Sequence, residues 1–556
     1  MRIKKLMAFT LASAMVLSMA GCGESKTTTE DNKATTGVSY KGTVEPDMVT
    51  VDLRVEPPEM NSLLTMDLAS TNILREVMSG LYQLDPDDNP IPALAMDTQV
   101  SEDGRTYTMK LREDAKWSNG DPVTAHDFVF AYQKVCDKKT AAPYGFIVYE
   151  NIVNGIDVFE GKKDPSELGV KALDDYTLEV TFNMPIPYAK HLFTFTTYLP
   201  MNQRAYEEIG ADKYAKDADK IVTNGAYKMT EWVHDDHVLL EKNDDFYDAD
   251  KIKIKKVKYL MMKDVNARMN AFKAGQVDGI SLDGEQSKQL QAEGANVQSY
   301  VDNSSWYLIY NYKTKALSNP KIRQAFTVAL DIDSLCNDVR RDGSVPSNGI
   351  IPTGIAGANG TKYRDNAGDI KNEYNVELAN TLLEEGLQEL GMKKEDLKIS
   401  FVMDDQSMTQ KDGAFIQEQW KKALGITVDI KPMPYKARIQ SLVDGSFDII
   451  YSGWNPDYND PMTFLDMFMM TNANNYGHHE NKKYDELVAN AMKEVDVEKR
   501  QEMLIEAEKM LILEDFAIAP MYFRTQPYIF SDKMTGVTRS GFQEWDFTDG
   551  AEIVTK

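Results

Sequence analysis

The sequence of 556 residues lacks the motifs of the common hydrolytic and nucleotide-dependent enzymes. It has no G-x-S-x-G nucleophile elbow, no glycine-rich phosphate-binding loop and no H-E-x-x-H zinc motif. Acidic pairs such as Asp404 and Asp405 abound in so acidic a chain, so a pair in a loop is weak evidence of catalysis. We therefore expect a protein that is not an enzyme and that needs no cofactor or metal.

Cysteine is scarce, with three residues in the whole chain. Cys22 lies near the start, and Cys136 and Cys336 lie far apart in the remainder. One disulfide bridge between the last two would be feasible, but two unpaired, buried thiols are the favoured interpretation. The fold is therefore not expected to depend on a disulfide framework.

Positive charge is also in deficit, because 62 Lys and Arg residues face 87 Asp and Glu residues, which gives a formal net charge of −25. A field of this sign repels nucleic acids and anionic lipid surfaces. The composition therefore excludes nucleic acid as a partner, and a membrane partner would require an anchor other than electrostatic attraction.

Long apolar runs are missing except at the start of the chain. There the basic residues Arg2, Lys4 and Lys5 precede an apolar run from Leu6 to Ala20. This run is shorter than the about 20 apolar residues of a membrane span, and it has the length of the apolar region of a signal peptide. The pattern predicts an exported protein.

The apolar run ends in Met19-Ala20-Gly21-Cys22, which resembles the lipobox of bacterial lipoproteins, with Met19 where leucine is usual. Residues 1–21 are therefore predicted to be a lipoprotein signal peptide, and Cys22 to carry a lipid that anchors the chain at the outer face of the cell membrane, or in the periplasm of a double-membraned host. An ordinary signal peptide with an incidental cysteine is the alternative. The polar, Thr-rich residues 22–45 are predicted to form a disordered tether.

Strand and helix patterns alternate through the rest of the chain. Tyr107–Leu111 and Tyr176–Phe182 alternate apolar and polar residues, as half-buried strands do. Ile416, Trp420 and Leu424 form an apolar helix stripe that Gly425 closes. Such alternation predicts α/β lobes, and about 510 residues imply more than one core because single cores stop growing near 250 to 300 residues.

Two histidine clusters are candidate metal sites. His234 and His237 flank two aspartates between two strand-like segments, which predicts a hairpin turn with solvated histidines. His478-His479-Glu480 follows a segment of loop composition. Neither cluster is predicted to bind a metal.

Four colinear segments resemble a known family, and the first combines a strand, an Asn-Gly turn and a helix with Thr124 as N-cap. The segments are Pro92–Val135, Ile221–Leu240, Ser318–Asp331 and Gly445–Phe464. They are similar to the signature regions of the family 5 extracellular solute-binding proteins, which are peptide and nickel receptors of ABC importers. The resemblance extends from about Val49 onward, and it is greatest to the oligopeptide-binding subgroup.

This resemblance implies the α/β fold of type II periplasmic-binding proteins, with two main lobes, an extra inserted lobe and the ligand in the interlobe cleft. Lobe I would be discontinuous, at 46–78, 201–303 and 525–556, with lobe II inserted at 79–200 and lobe III at 304–524. The resemblance further implies a monomer that binds short peptides and delivers them to the permease subunits of an ABC transporter.

In the oligopeptide-binding subgroup the peptide lies as an extended strand, and an aspartate binds its α-ammonium group. By position this aspartate is Asp457; the other implied site residues are Gly453 and Asn455 as a backbone rail, Leu68 and Tyr144 as the opposite wall, and Trp454 and Tyr435 as linings of side-chain pockets. The alternatives are a turn-capping role for Asp457 and plain core packing for Trp454, Tyr435 and Tyr144.

The basic residues that meet peptide C-termini in the subgroup are poorly matched here, and Lys313, Lys315 and Arg524 are the candidate replacements. Two rival functions stay open at this point. One is a receptor for another solute, such as a dipeptide, a nickel chelate, haem or a cell-wall peptide. The other is a sensor of peptide pheromones that uses the same fold without transport.

Overall fold

The computed structural model describes residues 38–65 and 67–554, apart from the side chains of residues 435 and 436. The predicted signal peptide and the predicted lipidation residue, Cys22, lie outside the described residues. In the part of the chain that the structure describes, no helix is both long enough and apolar enough to cross a membrane.

Residues 38–45, the end of the predicted tether, lie against the folded body. The ring of Tyr40 packs 4.8 Å from that of Phe272. The Thr43 N–H donates a hydrogen bond of 2.6 Å to Asp278 Oδ1. The predicted tether therefore does not extend to residue 45, because these aromatic and polar contacts hold its last residues in place.

One large mixed sheet of eleven strands organises the molecule, in the order β15-β14-β16-β12-β17-β11-β1-β10-β9-β8, with β13 paired to β17. A separate four-stranded antiparallel sheet has the order β4-β5-β7-β6, and β2-β3 and β18-β19 form two-stranded sheets. The strands are β1 Met48–Leu53, β2 Tyr82–Leu84, β3 Pro90–Pro92, β4 Ala95–Val100, β5 Thr106–Leu111, β6 Val170–Asp174, β7 Thr177–Thr181, β8 Tyr227–Val233, β9 His237–Lys242, β10 Lys256–Met261, β11 Gly279–Ser281, β12 Gln298–Tyr310, β13 Val345–Pro346, β14 Ser400–Asp404, β15 Asp429–Met433, β16 Ile449–Trp454, β17 Ile518–Phe530, β18 Met534–Thr535 and β19 Glu552–Ile553.

The α-helices cover the faces of these sheets. They are α1 Leu68–Val77, α2 Ala125–Val135, α3 Phe146–Tyr149, α4 Gly155–Phe159, α5 Ala189–Leu192, α6 Gln203–Ile209, α7 Val265–Lys273, α8 Gly284–Ala292, α9 Pro320–Val328, α10 Ile332–Ser334, α11 Tyr363–Ala367, α12 Val376–Leu390, α13 Ser407–Leu424, α14 Tyr435–Asp444, α15 Met462–Leu465, α16 Lys482–Ala491 and α17 Val497–Lys509.

The helix boundaries follow from local capping chemistry. Helix α2 begins after Thr124, the predicted N-cap residue, whose backbone N–H donates to Asp127 Oδ2 at 2.8 Å. Helix α13 ends at Gly425, whose φ of 68° is the left-handed conformation that glycine adopts without strain. The predicted stripe of α13 is confirmed, because Trp420 is fully buried and its indole Nε1 donates to the Phe326 carbonyl oxygen.

Four clusters of buried apolar residues confirm the expectation of more than one core. The largest cluster joins the sheet around Val49 to the smaller sheet around Tyr107, so the segments assigned to lobes I and II share a core. Cys136 and Cys336 are buried and unpaired, as predicted.

Strands β12 and β17 are 13 residues long, and they pair with each other along most of that length. At one end of this pair, residues Ser305–Tyr310 of β12 also pair with β16. At the other end, residues Tyr528–Phe530 of β17 pair with β11. The two strands therefore connect the two halves of the large sheet. Their pairing is irregular between Val301 and Ser305. The predicted boundaries at 303/304 and 524/525 fall within these two strands, and the division into lobes stays a prediction.

The predicted hairpin around His234 and His237 is present, but the prediction that both histidines are solvated is wrong for His237. That residue is 8% exposed, because it begins β9 and lies opposite Leu260 of β10. His479 is buried as well and contacts Asp515 through Nε2 at 2.8 Å. Within the described residues, no group of three or more His, Cys, Asp or Glu side chains could hold a metal ion.

Candidate functional site

A cavity of about 400 Å³ lies where segments from all three predicted lobes meet. Its walls come from the start of α1, from the segments around Tyr144 and Phe195, from β12 and β17, from the segment after β16, and from residues 540–544. The lining combines aromatic side chains with several charged and polar ones, as is usual in binding sites for small ligands.

Four of the predicted site residues line this one cavity, namely Leu68, Tyr144, Asn455 and Asp457. Leu68 begins α1, and it is 58% exposed. The ring of Tyr144 packs against Phe195 at a centroid distance of 5.3 Å, which fixes its orientation at the wall.

Gly453 and Trp454 end β16 just before the cavity and are not among the residues that line it. Gly453 lies opposite Trp306 of β12, and a Cβ atom there would be 2.8 Å from Trp306 Cδ2. Glycine is therefore required for strand packing at this position. The Trp454 indole Nε1 donates to Thr463 Oγ1 at 3.2 Å. Tyr435 begins α14, and its side chain is not described.

Strand β16 has different neighbours on its two edges. One edge pairs with β12 along the whole strand, from Ile449 to Trp454. The other edge pairs with β14 only at Ile449 and Ile450. Among the described strands, the second edge therefore has no strand partner from residue 451 to residue 454, directly before the cavity.

The loop after β16 is fixed by contacts on both sides. The ring of Tyr458 stacks on that of Tyr188, with centroids 4.7 Å apart and planes inclined by 2°. Asn459 Nδ2 donates to the Asp88 carbonyl oxygen at 2.7 Å, and its Oδ1 accepts the Ala356 N–H at 2.8 Å. These contacts hold Asp457 at the cavity wall.

Asp457 keeps part of its surface exposed, but many protein atoms surround its carboxyl group. This burial raises the pKa of Asp457 to about 7. Among the described residues we find no hydrogen bond or ion pair to this carboxylate, and burial alone accounts for the shift. Burial, with a smaller contribution from the nearby charge of Asp457, also raises the pKa of Asp466 to about 7. At the cavity wall, Asp457 is therefore an acidic group without a compensating partner among the described residues.

The turn-capping alternative for Asp457 finds no support in these contacts. The Asp457 N–H donates to Thr463 Oγ1 at 3.3 Å, but its carboxylate accepts no backbone N–H from the described residues. The cap at this turn is Asp460, whose Oδ1 accepts the Met462 N–H at 2.9 Å. Both Asp460 oxygens also bind the Arg500 guanidinium at 2.8 Å.

Two arginines at the cavity wall have carboxylate partners. Arg54 pairs with Glu544, and Arg524 pairs with Asp302. Of the three basic residues proposed from the sequence, Arg524 lines the cavity, whereas Lys313 and Lys315 do not.

Sequence reasoning missed several residues of this wall, including Arg54, Asp302 and residues 540–544. The segment 540–544 has neither helix nor strand periodicity, and tertiary contacts alone bring it to the cavity. One such contact is the hydrogen bond of 3.0 Å from the Trp545 N–H to Asn72 Oδ1. The sequence offered one signal for this segment, the tryptophan at position 545, which is buried in the structure.

The chain is similar to a family of known proteins. Residues 89–476 match the model of the bacterial extracellular solute-binding proteins, family 5 (middle region). The oligopeptide-binding protein OppA of Bacillus subtilis is 32% identical over 546 residues, covering 96% of each chain.

Two solved structures have the same fold. The substrate-binding domain of an oligopeptide ABC transporter from Bacillus anthracis is 35% identical, with a TM-score of 0.75 over 93% of this chain and 100% of that chain. Listeria monocytogenes OppA bound to peptide is 34% identical, with a TM-score of 0.73 over 92% and 99%. These matches confirm the predicted α/β fold of type II periplasmic-binding proteins. This chain belongs to the bacterial extracellular solute-binding proteins of family 5.

Proposed function

We propose that this protein captures short oligopeptides outside the cell membrane and delivers them to the permease subunits of an ABC importer. The observation that carries the proposal is the Asp457 carboxylate, which faces a cavity of about 400 Å³ without a partner among the described residues. The named relatives support the same substrate class, since they are oligopeptide-binding proteins and one of them was solved with a peptide.

Every peptide with a free N-terminus carries the group that Asp457 would bind. A carboxylate and an ammonium group form a charge-assisted hydrogen bond, which is shorter and stronger than a neutral one. Such a bond would set the register of the peptide in the cleft and would disfavour blocked N-termini.

The edge of β16 beyond Tyr451 has no strand partner among the described strands, which supports an extended binding mode for the peptide. The Tyr451 carbonyl oxygen itself accepts a hydrogen bond of 3.3 Å from Arg438 Nη1. A strand edge can pair with the N–H and C=O groups of any peptide, whatever its side chains. Gly453 and Asn455 would supply this backbone rail, while Leu68 and Tyr144 would form the opposite wall. Trp454 and Tyr435 would line the adjacent side-chain pockets.

We further propose that Cys22 is lipidated and holds the receptor at the outer face of the cell membrane as a monomer. The support is the lipobox-like Met19-Ala20-Gly21-Cys22 after an apolar run. A receptor that stays close to its permease can pass on a captured peptide without losing it to the surroundings.

Calorimetry of residues 38–556 against a panel of unmodified peptides of three to six residues tests the binding proposal. We expect binding across the panel with little dependence on sequence, and weak binding of N-acetylated peptides. A nickel chelate and haem serve as competing solutes. Tight binding of either one, with no heat from any peptide, would disprove the proposed substrate class.

Delivery to a permease is tested in the native host. Deleting the gene should abolish uptake of a labelled peptide, and the wild-type gene should restore it. A variant with Asp457→Asn should restore it poorly. Uptake that persists at the wild-type level without the gene would favour a sensory role.

A further inference from the structure

One cationic side chain of the cavity wall, Arg75, differs from Arg54 and Arg524 in having no ion pair among the described residues. Its Nη1 atom is buried and donates to no acceptor there. Arg75 as a whole is partly exposed, but a guanidinium nitrogen that is buried without an acceptor is costly, since its lost hydration is not replaced. Its presence at a cavity wall therefore points to an absent acceptor.

Asn72 lies one helical turn before Arg75 on α1 and lines the same cavity. It is 4% exposed, and its Oδ1 accepts the Trp545 N–H at 3.0 Å, which fixes the orientation of the amide. The other end of the amide, Nδ2, is buried and donates to no acceptor in the described part of the chain. Two unsatisfied donors thus lie at positions i and i+3 of one helix.

The acidic groups that act on the Arg75 charge, Asp88 and Asp546, form no ion pair with it among the described residues. Asp88 accepts a hydrogen bond from the Ser540 hydroxyl, and Asp546 accepts one of 2.7 Å from the Thr548 hydroxyl. Burial lowers the pKa of Arg75 to about 10, although Asp88 and Asp546 act in the opposite direction. The guanidinium therefore remains charged at neutral pH and is only partly compensated.

Arg75 also lies at the boundary with a second cavity of about 250 Å³. Arg75, Thr196 and Gln543 line both cavities. A group bound by Arg75 therefore has free volume on either side of the guanidinium, enough for a chain end or a short side chain.

The remaining charges identify the kind of group that fits. Asp67 lines the cavity too, but it is the N-cap of α1, and its Oδ1 accepts the Ser70 N–H at 2.8 Å. The other oxygen of Asp67, Oδ2, is buried and has no hydrogen-bond partner among the described residues. Once the paired arginines and this helix cap are set aside, Asp457 is the one lining carboxylate, and Arg75 the one lining guanidinium, with no hydrogen bond or ion pair among the described residues. We propose that Asn72 and Arg75 form a subsite for a carboxylate of the peptide whose ammonium group binds Asp457.

This inference rests on the proposed peptide-binding function and adds a specificity-determining pair to it. The carboxylate has two sources, the C-terminus of a short peptide or an Asp or Glu side chain of a longer one. Tetra-alanine and its C-terminal amide form the probe pair for the first source. Tetra-alanine amides with one Glu, each compared with its Gln counterpart, form the probe pairs for the second.

Calorimetry with these pairs should show a preference for the carboxylate member of one pair of about ten- to hundredfold in affinity. Arg75→Gln should abolish this preference, and Arg75→Lys should restore part of it. Asn72→Asp keeps the acceptor for the Trp545 N–H but replaces the free donor by an oxygen, so it should also abolish the preference. Arg54→Gln is the matched control and should keep it, because Arg54 already pairs with Glu544.

The outcomes separate the two proposals. If the wild type binds peptides but prefers no carboxylate, or if Arg75→Gln and Asn72→Asp keep the preference, the subsite is refuted while the peptide receptor stands. If the wild type binds no peptide at all, both proposals fail. Thermal melts show whether each variant is folded, and Asn72→Asp decides the question should Arg75→Gln not fold.

Discussion

Replacing Asp457 by asparagine removes a charge and keeps the shape of the side chain. Burial raises the pKa of this group from 3.8 to about 7, which corresponds to about 4 kcal/mol against the carboxylate at about 1.36 kcal/mol per pKa unit. An ammonium ligand can recover part of this cost, and less than all of it because the side chain keeps some contact with solvent. We therefore expect Asp457→Asn to weaken binding of free-amine peptides by about 2–4 kcal/mol, or about 30- to 1000-fold.

The assay compares a peptide with its N-acetylated form in calorimetry, on the wild type and on the variant. The acetylated peptide should bind the wild type weakly and should be nearly indifferent to the substitution. Asp302→Asn is the matched control, since Asp302 lines the same cavity but pairs with Arg524. That variant should keep the ratio between the two peptides.

Asp457→Asn should weaken peptide binding, but it should leave the ligand-free protein as stable as the wild type or more stable. The folded state has a pKa of about 7 for Asp457, whereas an unfolded chain has about 3.9, so folding binds a proton between these values. Stability contributed by this group therefore falls as the pH rises from about 4 to 7, and asparagine has no such cost. Asp457→Asn should melt at a temperature equal to or above that of the wild type at about pH 8. A loss of stability combined with an affinity change below about tenfold would refute the reasoning and favour the turn cap.

Three further predictions concern pH, packing and anchoring. Affinity for free-amine peptides should rise up to about tenfold per pH unit between about pH 5 and 7, as the Asp457 carboxyl with its pKa of about 7 ionises, and a flat titration would contradict this. Gly453→Ala should lower the free energy of unfolding by about 1–3 kcal/mol in denaturant titrations, because its Cβ would lie 2.8 Å from Trp306 Cδ2, and unchanged unfolding would show that the strands shift freely. Cys22→Ser should abolish partitioning of the full chain into detergent, and unchanged partitioning would rule out the lipid anchor.

Local signals in the sequence predicted the elements of this fold well. The N-cap at Thr124 and the stripe of Trp420 depend on neighbours within one or two turns, and both are present. His237 was wrongly placed in solvent because its burial comes from pairing with β10, whose register the local pattern does not encode. The end of the tether was misplaced for the same reason, since Tyr40 is held by Phe272, which lies far along the chain.

Some residues of the candidate site could likewise be predicted from the sequence, and others could not. Asp457 was found through the resemblance of its segment, Gly445–Phe464, to a family, and the structure brings it together with Leu68 and Tyr144 at one cavity. Asn72 and Arg75 were not found, because in the sequence they are ordinary polar positions of a short helix. Their significance lies in the lack of acceptors for their buried donors among the described residues, and only the three-dimensional structure shows this lack.

Unpaired strand edges and unpaired buried charges are features that proteins generally avoid, because both cost free energy or invite wrong partners. Here the edge of β16 beyond Tyr451 has no strand partner among the described strands, and it leads to the Asp457 carboxylate, which has no partner among the described residues. In the proposed binding mode, a peptide that adds to the edge would place its own N–H and C=O groups against the strand and its ammonium group against the carboxylate. Both features would then be satisfied by groups that all free-amine peptides share, so the affinity would depend mainly on the backbone and the N-terminus and only weakly on the side chains.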